Sequence, residues 1–284
     1  MATLRDIKRR IRSVRSTQQI TKAMEMVAAA KLRRAQSRVL AARPYARAMD
    51  VVLENLSATA AEVGHPLFTP RPVKKRLVVV LGADRGLCGS YNAGLFRATE
   101  SFLRSEDGRG SQLFLIGRKA RDYFRRRRYD VLDVMTDLPA DALLESAKNL
   151  SERLQKAFLS GEVDAVDLEY TQFVSVMSRR VVREPFLPIR PREAKSGTAR
   201  NYIFEPDAES LLAELLPRYA TTKLLQALAE AAASEHAARM VAMSSARKNA
   251  GELIDALVLR RNRLRQAIIT KEIAEIVGGA EALV

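Results

Sequence analysis

From Leu4 onward the chain sets down one residue of a stripe every three or four positions. Leu4, Ile7, Ile11 and Val14 come first, and Gln18, Thr21, Glu25, Ala28, Leu32, Ala35 and Val39 follow in the same frame. On a helix that spacing draws a single seam. The seam is apolar, then polar, then apolar again. Pro44 is expected to bend the helix, and Met49, Leu53 and Leu56 resume the pattern beyond it. The far end of the chain repeats the design. Pro206 precedes a helix start, with Asp207 and Glu209 favouring its first turn. Alanine dominates from Ala227 to Ala250, and its thin side chain lets another helix approach closely. Ala250, Ile254, Leu257, Leu264 and Ile268 then form a second seam, interrupted by Arg261, and Gly278 and Gly279 are expected to end it. At 1.5 Å per residue the two helices would span roughly 80 and 110 Å. That is longer than a globule of 284 residues is wide. The simplest way to cover both seams is to pair the helices as a coiled coil.

Between the ends the period changes. Arg76–Gly82 and Gln112–Gly117 are short apolar runs, expected to be buried strands, and Tyr91–Leu103 and Lys119–Arg127 after them have helical patterns. Tyr129–Val134 is a third candidate strand and Ala140–Leu159 a further helix; Asp164–Val174 and Val181–Ile189 alternate as an edge hairpin would. Strand alternating with helix predicts an α/β domain with a largely parallel sheet, Rossmann-like in type. The fold class is therefore α/β plus long helices that form a coiled coil. The expected domains are a discontinuous coiled-coil shaft at 1–57 and 206–284, an α/β domain at 73–190, and a loop at 191–205.

The usual chemical sites are missing. Gly82–Gly89 follows a strand and precedes a helix, where phosphates sit in α/β enzymes. It lacks the lysine of a P-loop and has no G-x-G-x-x-G, so a tight turn using Gly86 and Gly89 is the better reading. Cys88, the only cysteine, reads as a small buried side chain, and it permits no intrachain disulfide, which points to a reducing compartment. His65 and His236 have no metal-ligand spacing. No cofactor is expected. No run approaches the ~20 apolar residues of a membrane span, and the Arg-rich start lacks the apolar core of a signal peptide, so it reads as mature protein.

Charge does carry information. Lys+Arg number 48 against 33 Asp+Glu, a net charge of +15, which calls for a polyanionic partner. Within residues 1–40 only Asp6 and Glu25 oppose eleven bases, so that helix is expected to face an acidic surface. Arg125–Arg128 is the densest basic run, and a solvated helix end explains it most simply. A coiled-coil nucleic-acid binder would carry stacking aromatics among its bases. Aromatics are only 6% and tryptophan is absent. A nucleotide-dependent α/β enzyme would need phosphate-binding residues at its strand ends, and none is recognisable.

Four motifs resemble one family. Ile20-Thr-Lys-Ala-Met-Glu-Met-Val-Ala-Ala-Ala-Lys31 is similar to the N-terminal helix motif of ATP synthase gamma subunits, and Asp84-Arg-Gly-Leu-Cys-Gly89 to the family's central signature. Ser234–Met243 and Arg265–Val277 resemble its two C-terminal motifs, and the order is the family's. The resemblance implies an antiparallel terminal coiled coil inside a hexamer of alpha and beta subunits. It places the α/β domain at the foot, on the membrane ring of c subunits and beside epsilon. It implies a rotor that is not itself an enzyme and binds no nucleic acid, bacterial in type and peripheral at the cytoplasmic face of the inner membrane. By matching position, Lys22 and Met24 would face the acidic loop of beta. Arg265, Gln266, Thr270 and Glu272 would meet its catch loop, Arg239 would support that region, and Tyr202 and Glu205 would meet the ring. Position 204 departs from the family's frequent tyrosine, being Phe204, and there is no cysteine pair of the chloroplast thiol-regulated kind.

Overall fold

A computed structural model of the protein describes residues 3–63, 65–190 and 208–281. The first helix, α1, runs Leu4–Val63, unbroken across Pro44, and the last, α5, runs Ala208–Glu281 with Pro217 inside it. Between them lie β1 (Arg76–Leu81), α2 (Tyr91–Arg104), β2 (Gln112–Ile116), α3 (Arg118–Arg126), β3 (Val131–Met135), a 3-10 turn at Ala140–Ala142, α4 (Leu143–Leu159), β4 (Ala165–Phe173) and β5 (Arg179–Leu187). The chain forms two units, residues 1–28 with 240–284 and residues 29–239, and both long helices contribute to each.

From Leu4 on, the described residues of the first unit are all helical. Ile7, Ile11, Thr21 and Ala28 of α1 are buried, and Leu4, Val14, Gln18 and Glu25 are half-buried. From α5, Met243, Ala250 and Ile254 are buried. Glu25 accepts a 2.9 Å bond from Nε of Arg247, and a Cβ added at Gly251 would lie 3.1 Å from Nε2 of Gln18. Moving back along α1 is matched by moving forward along α5, so the pair is antiparallel. That register carries Leu4 to about residues 265–268 of α5. Ile268, 38% exposed, therefore lies at the end of the seam, where only the first turn of α1 is left to cover it. Gly278 and Gly279 do not end the helix either, since it continues to Glu281. A glycine costs only about 1 kcal/mol in a helix interior, too little to unwind one already propagated over so many turns.

The second unit is built on a five-stranded sheet in the order β3-β2-β1-β4-β5. β1 pairs in parallel with β2 and β4, β2 pairs in parallel with β3, and β4–β5 is the expected antiparallel edge hairpin. Strands covered on both faces read as continuous apolar runs, which is why RLVVVL and QLFLI lack alternation. Val78 and Val80 pack with Leu95, Phe96 and Phe102 of α2 and Phe124 of α3. Leu77, Val79 and Leu81 face the other way, against Leu150 and Phe158 of α4 and Leu216, Leu224 and Ala227 of α5. Each large side chain so removed from water contributes about 1.5–3 kcal/mol. In this unit too α1 and α5 run antiparallel. Asp50 accepts from the Tyr219 hydroxyl and ion-pairs with Lys223, while Arg43 reaches Glu230. No described helix is long and apolar enough to cross a membrane.

Candidate functional site

The loop after β1 is where an α/β enzyme would hold phosphate, and the chain fills that place with its own carboxylate. Oδ1 of Asp84 accepts from the Arg118 amide at 3.0 Å, at the N-terminus of α3, and both its oxygens accept from the Asp137 amide at 3.1 Å. The Arg118 guanidinium completes the arrangement, 2.9 Å from Asp137 and 3.9 Å from Asp84. Donors that could cradle an anion are thus spent on stapling together the ends of β1, β2 and β3. The turn is tight as expected, but it is Leu87 (φ 61°) and Gly89 (φ 55°) that adopt the left-handed conformation, not Gly86. Gly117 (φ 91°) allows the neighbouring crossing: a Cβ there would lie 2.5 Å from the Gly82 carbonyl oxygen.

Two groups tie this loop to α5. The Arg239 guanidinium donates to the carbonyls of Arg85 (3.2 Å) and Gly86 (3.3 Å) and pairs with Glu235 at 2.7 Å, leaving its side chain 12% exposed. The buried Tyr91 hydroxyl lies between the carbonyls of Leu81 and Ala231. Burial pushes the Cys88 thiol up in pKa, so it stays a protonated, unreactive packing group, as its sequence setting suggests. Burial, helped by Arg239 and Lys31, pushes His236 down to about 4 and keeps its ring neutral. No cluster of metal-ligating side chains exists among the described residues.

The residues singled out for partner contact lie in three places. Lys22 is exposed and Met24 half-buried on α1, beside the Glu25–Arg247 pair. Arg265, Gln266, Thr270 and Glu272 are all exposed on α5, the first two opposite the opening turn of α1 and the last two past it. The helical rise puts at least about 25 Å between them and the part of α5 that faces Met24, so they form a second, separate surface. Arg239 lies in the other unit, engaged with the loop after β1. Tyr202 and Glu205 lie outside the described residues. Arg247 was not anticipated, because nothing in its local sequence marks it as the partner of Glu25.

The comparisons with known proteins agree along the whole chain. A family model described as ATP synthase matches residues 3–283. The ATP synthase gamma chain of Moorella thermoacetica is 51% identical over 283 residues, covering all of both chains. The chain belongs to the ATP synthase gamma-chain family. The gamma chain of Desulforamulus reducens, another member, is 49% identical over 284 residues, again with full coverage of both. Among solved structures, the central stalk and c-ring of Tetrahymena thermophila mitochondrial ATP synthase contains a chain 25% identical, with a TM-score of 0.62, covering 80% of this chain and 99% of that one. A rotor chain of Euglena gracilis mitochondrial ATP synthase, 17% identical, has the same fold, with a TM-score of 0.68 over 94% of this chain and 98% of its own.

Proposed function

We propose that the chain is the central-stalk rotor subunit of a proton-translocating ATP synthase, carrying rotation of a c-ring to a catalytic alpha/beta hexamer. The observation that carries the reading is the antiparallel pairing of helices 60 and 74 residues long in a member of the gamma-chain family. A shaft must resist twist and form few permanent bonds with its sleeve. Two paired helices meet the first need. For the second, α5 offers beyond its partner a run with exposed Ile269, Ile273, Ile276 and Val277, which can turn against an apolar wall. Residues 1–57 and 206–284 would be the shaft, 73–190 the foot, and 191–205 the segment on the ring. Lys22, Met24, Arg265, Gln266, Thr270 and Glu272 would meet beta, with Arg239 supporting that region, and Tyr202 and Glu205 would meet the ring. The alpha, beta, epsilon and c-ring subunits are the partners. The subunit is peripheral to the membrane through the complex, at its cytoplasmic face in a bacterium, and the catalytic step belongs to beta.

Reconstitution tests this reading. Alpha and beta subunits mixed with the chain are expected to form a complex holding one copy per three beta, with sustained ATP hydrolysis. The pure chain is expected to show no turnover. Failure to join the hexamer, or turnover by the chain alone, would overturn the reading.

A further inference from the structure

The basic run at the end of α3 is left unused by that function. Residues 118–128 hold seven basic side chains and one acid, Asp122. Arg118, Arg121 and Arg127 are spent within the chain, on Asp137, Asp122 and Glu100. Arg125, Arg126 and Arg128 are exposed and form no ion pair with a described residue. The apolar side of α3 is fixed by buried Ala120 and Phe124 in the sheet layer, so these three cations are held out on a rigid mount.

The topology says which end they occupy. β1 to β4 are parallel, so α3, which ends as the chain turns back into β3, puts its last residues at the rim where the parallel strands begin. Arg104, closing α2, and Arg109, in the turn before β2, share that rim with the acids Glu106 and Asp107. β5 is antiparallel, and its Leu187 pairs with Val166 at the start of β4. The chain therefore leaves the sheet at the same rim, heading for the segment read above as meeting the ring.

We propose that this rim, through Arg125, Arg126 and Arg128, binds the anionic headgroups of the lipid surface around the ring. The inference rests on the rotor reading. A stationary protein would meet this rim at one angle only, whereas a fluid anionic surface presents the same charge throughout a turn; an acidic segment of a subunit that turns with it is the other outcome of the test. The cations form no groove and have no apolar anchor between them, which suits a diffuse array of headgroups. A single-stranded nucleic acid would need open aromatic faces, and Tyr123 is already covered by Arg127, 3.7 Å above its ring.

The test is co-sedimentation of the full chain with phosphatidylcholine vesicles, with and without about 30% phosphatidylglycerol, at low and physiological salt. The parent is expected to bind the anionic vesicles at least about tenfold more strongly than the neutral ones, with the difference shrinking in salt. The triple change Arg125→Ser, Arg126→Ser and Arg128→Ser is expected to remove about tenfold or more of that binding. The triple change Lys148→Ser, Lys248→Ser and Lys271→Ser alters net charge equally, at exposed positions scattered over three places, and is expected to cost less than about twofold. Equal losses in the two variants would reduce the effect to overall charge and overturn the proposal. So would vesicle binding left intact in the α3 variant while capture of a polyglutamate peptide is lost, which would assign the patch to an acidic protein segment. Unchanged thermal unfolding excludes misfolding, and normal joining to alpha and beta separates failure here from failure of the rotor reading.

Discussion

At the scale of single residues, the carboxyl group of Glu169 sits 2% exposed in β4, with Oε2 lacking any hydrogen-bond partner. Thr99 of α2 reaches it, Arg183 faces it from β5, and Asp167 stands two residues away on its own strand. Arg183 is shared with the Phe102 ring, and the nearby Arg76 is committed to Asp167 at 2.7 Å. Burial therefore prevails over Arg183 and pushes Glu169 up to about 7. A folded pKa above the unfolded one means that the folded state holds a proton the unfolded state has released. Stability from this group accordingly falls as pH rises from about 4.5 to 7, by about 3 kcal/mol in all, and stays lost above. His236 works in the opposite sense. Its folded pKa of about 4 is below its usual value, so its contribution is full above about 6.5 and is lost as pH falls toward 4. The two oppose each other between pH 5 and 6.5, and the parent's pH profile alone will hide both. The difference between Glu169→Gln and the parent isolates the first. Thermal unfolding is expected to show almost no gap near pH 4 and a variant more stable by about 3 kcal/mol at pH 8. A gap that does not change with pH would mean that Glu169 keeps its charge in the fold.

At the scale of elements, the meeting of α1 and α5 at Gln18 and Gly251 sets how close the helices of the first unit lie. Gly251→Ala adds helix propensity worth about 1 kcal/mol, and its Cβ meets only the movable end of Gln18. The variant is expected to be as stable as the parent or slightly more so by circular dichroism melting. Gly251→Leu adds bulk that Gln18 alone cannot clear and is expected to cost about 1–3 kcal/mol. If alanine cost as much as leucine, Gln18 would not be the neighbour. The same pair shows what could be read beforehand. Every residue of the α1 stripe from Leu4 to Val39 is buried or half-buried, because periodicity records which side of a helix is covered. It does not record by what. That Glu25 answers Arg247, 222 positions away, depends on the register of two distant helices. The end of the second seam is illegible for the same reason, since Ile268 has the right spacing but only the first turn of α1 to face it. The turn after β1 was legible as a turn, whereas the role of Asp84 was not: its donors come from Arg118 and Asp137, which only the folded sheet brings near.

At the scale of the whole molecule, the work of a rotor subunit is to present different side chains to other subunits as it turns. Arg265 and Gln266 are placed for that. They are exposed, they lie where α5 passes the first turn of α1, and Arg261 and Asn262 occupy the positions one turn before them, where an acid would have been needed for a pair within the helix. Arg261 is turned instead to its neighbour Asn262, at 3.1 Å. A guanidinium and an amide side by side offer a fork of donors with one acceptor, a set suited to a polar loop that is gripped at one angle and released at others. Inside a sleeve an arginine without acceptors would be costly, so the partner is expected to supply them. Changing both residues to alanine keeps helix propensity high and removes nothing the isolated fold uses, so unfolding temperature and the yield of assembled complex should match the parent. Charged hydrogen bonds of this kind are worth roughly 1.5–3 kcal/mol each. Their loss should cut steady-state ATP hydrolysis by the assembled complex more than about tenfold, since about 1.4 kcal/mol is a factor of ten in rate. Turnover within about twofold of the parent at equal assembly would show that the grip lies elsewhere on the exposed end of α5, with Thr270 and Glu272 the next residues to replace.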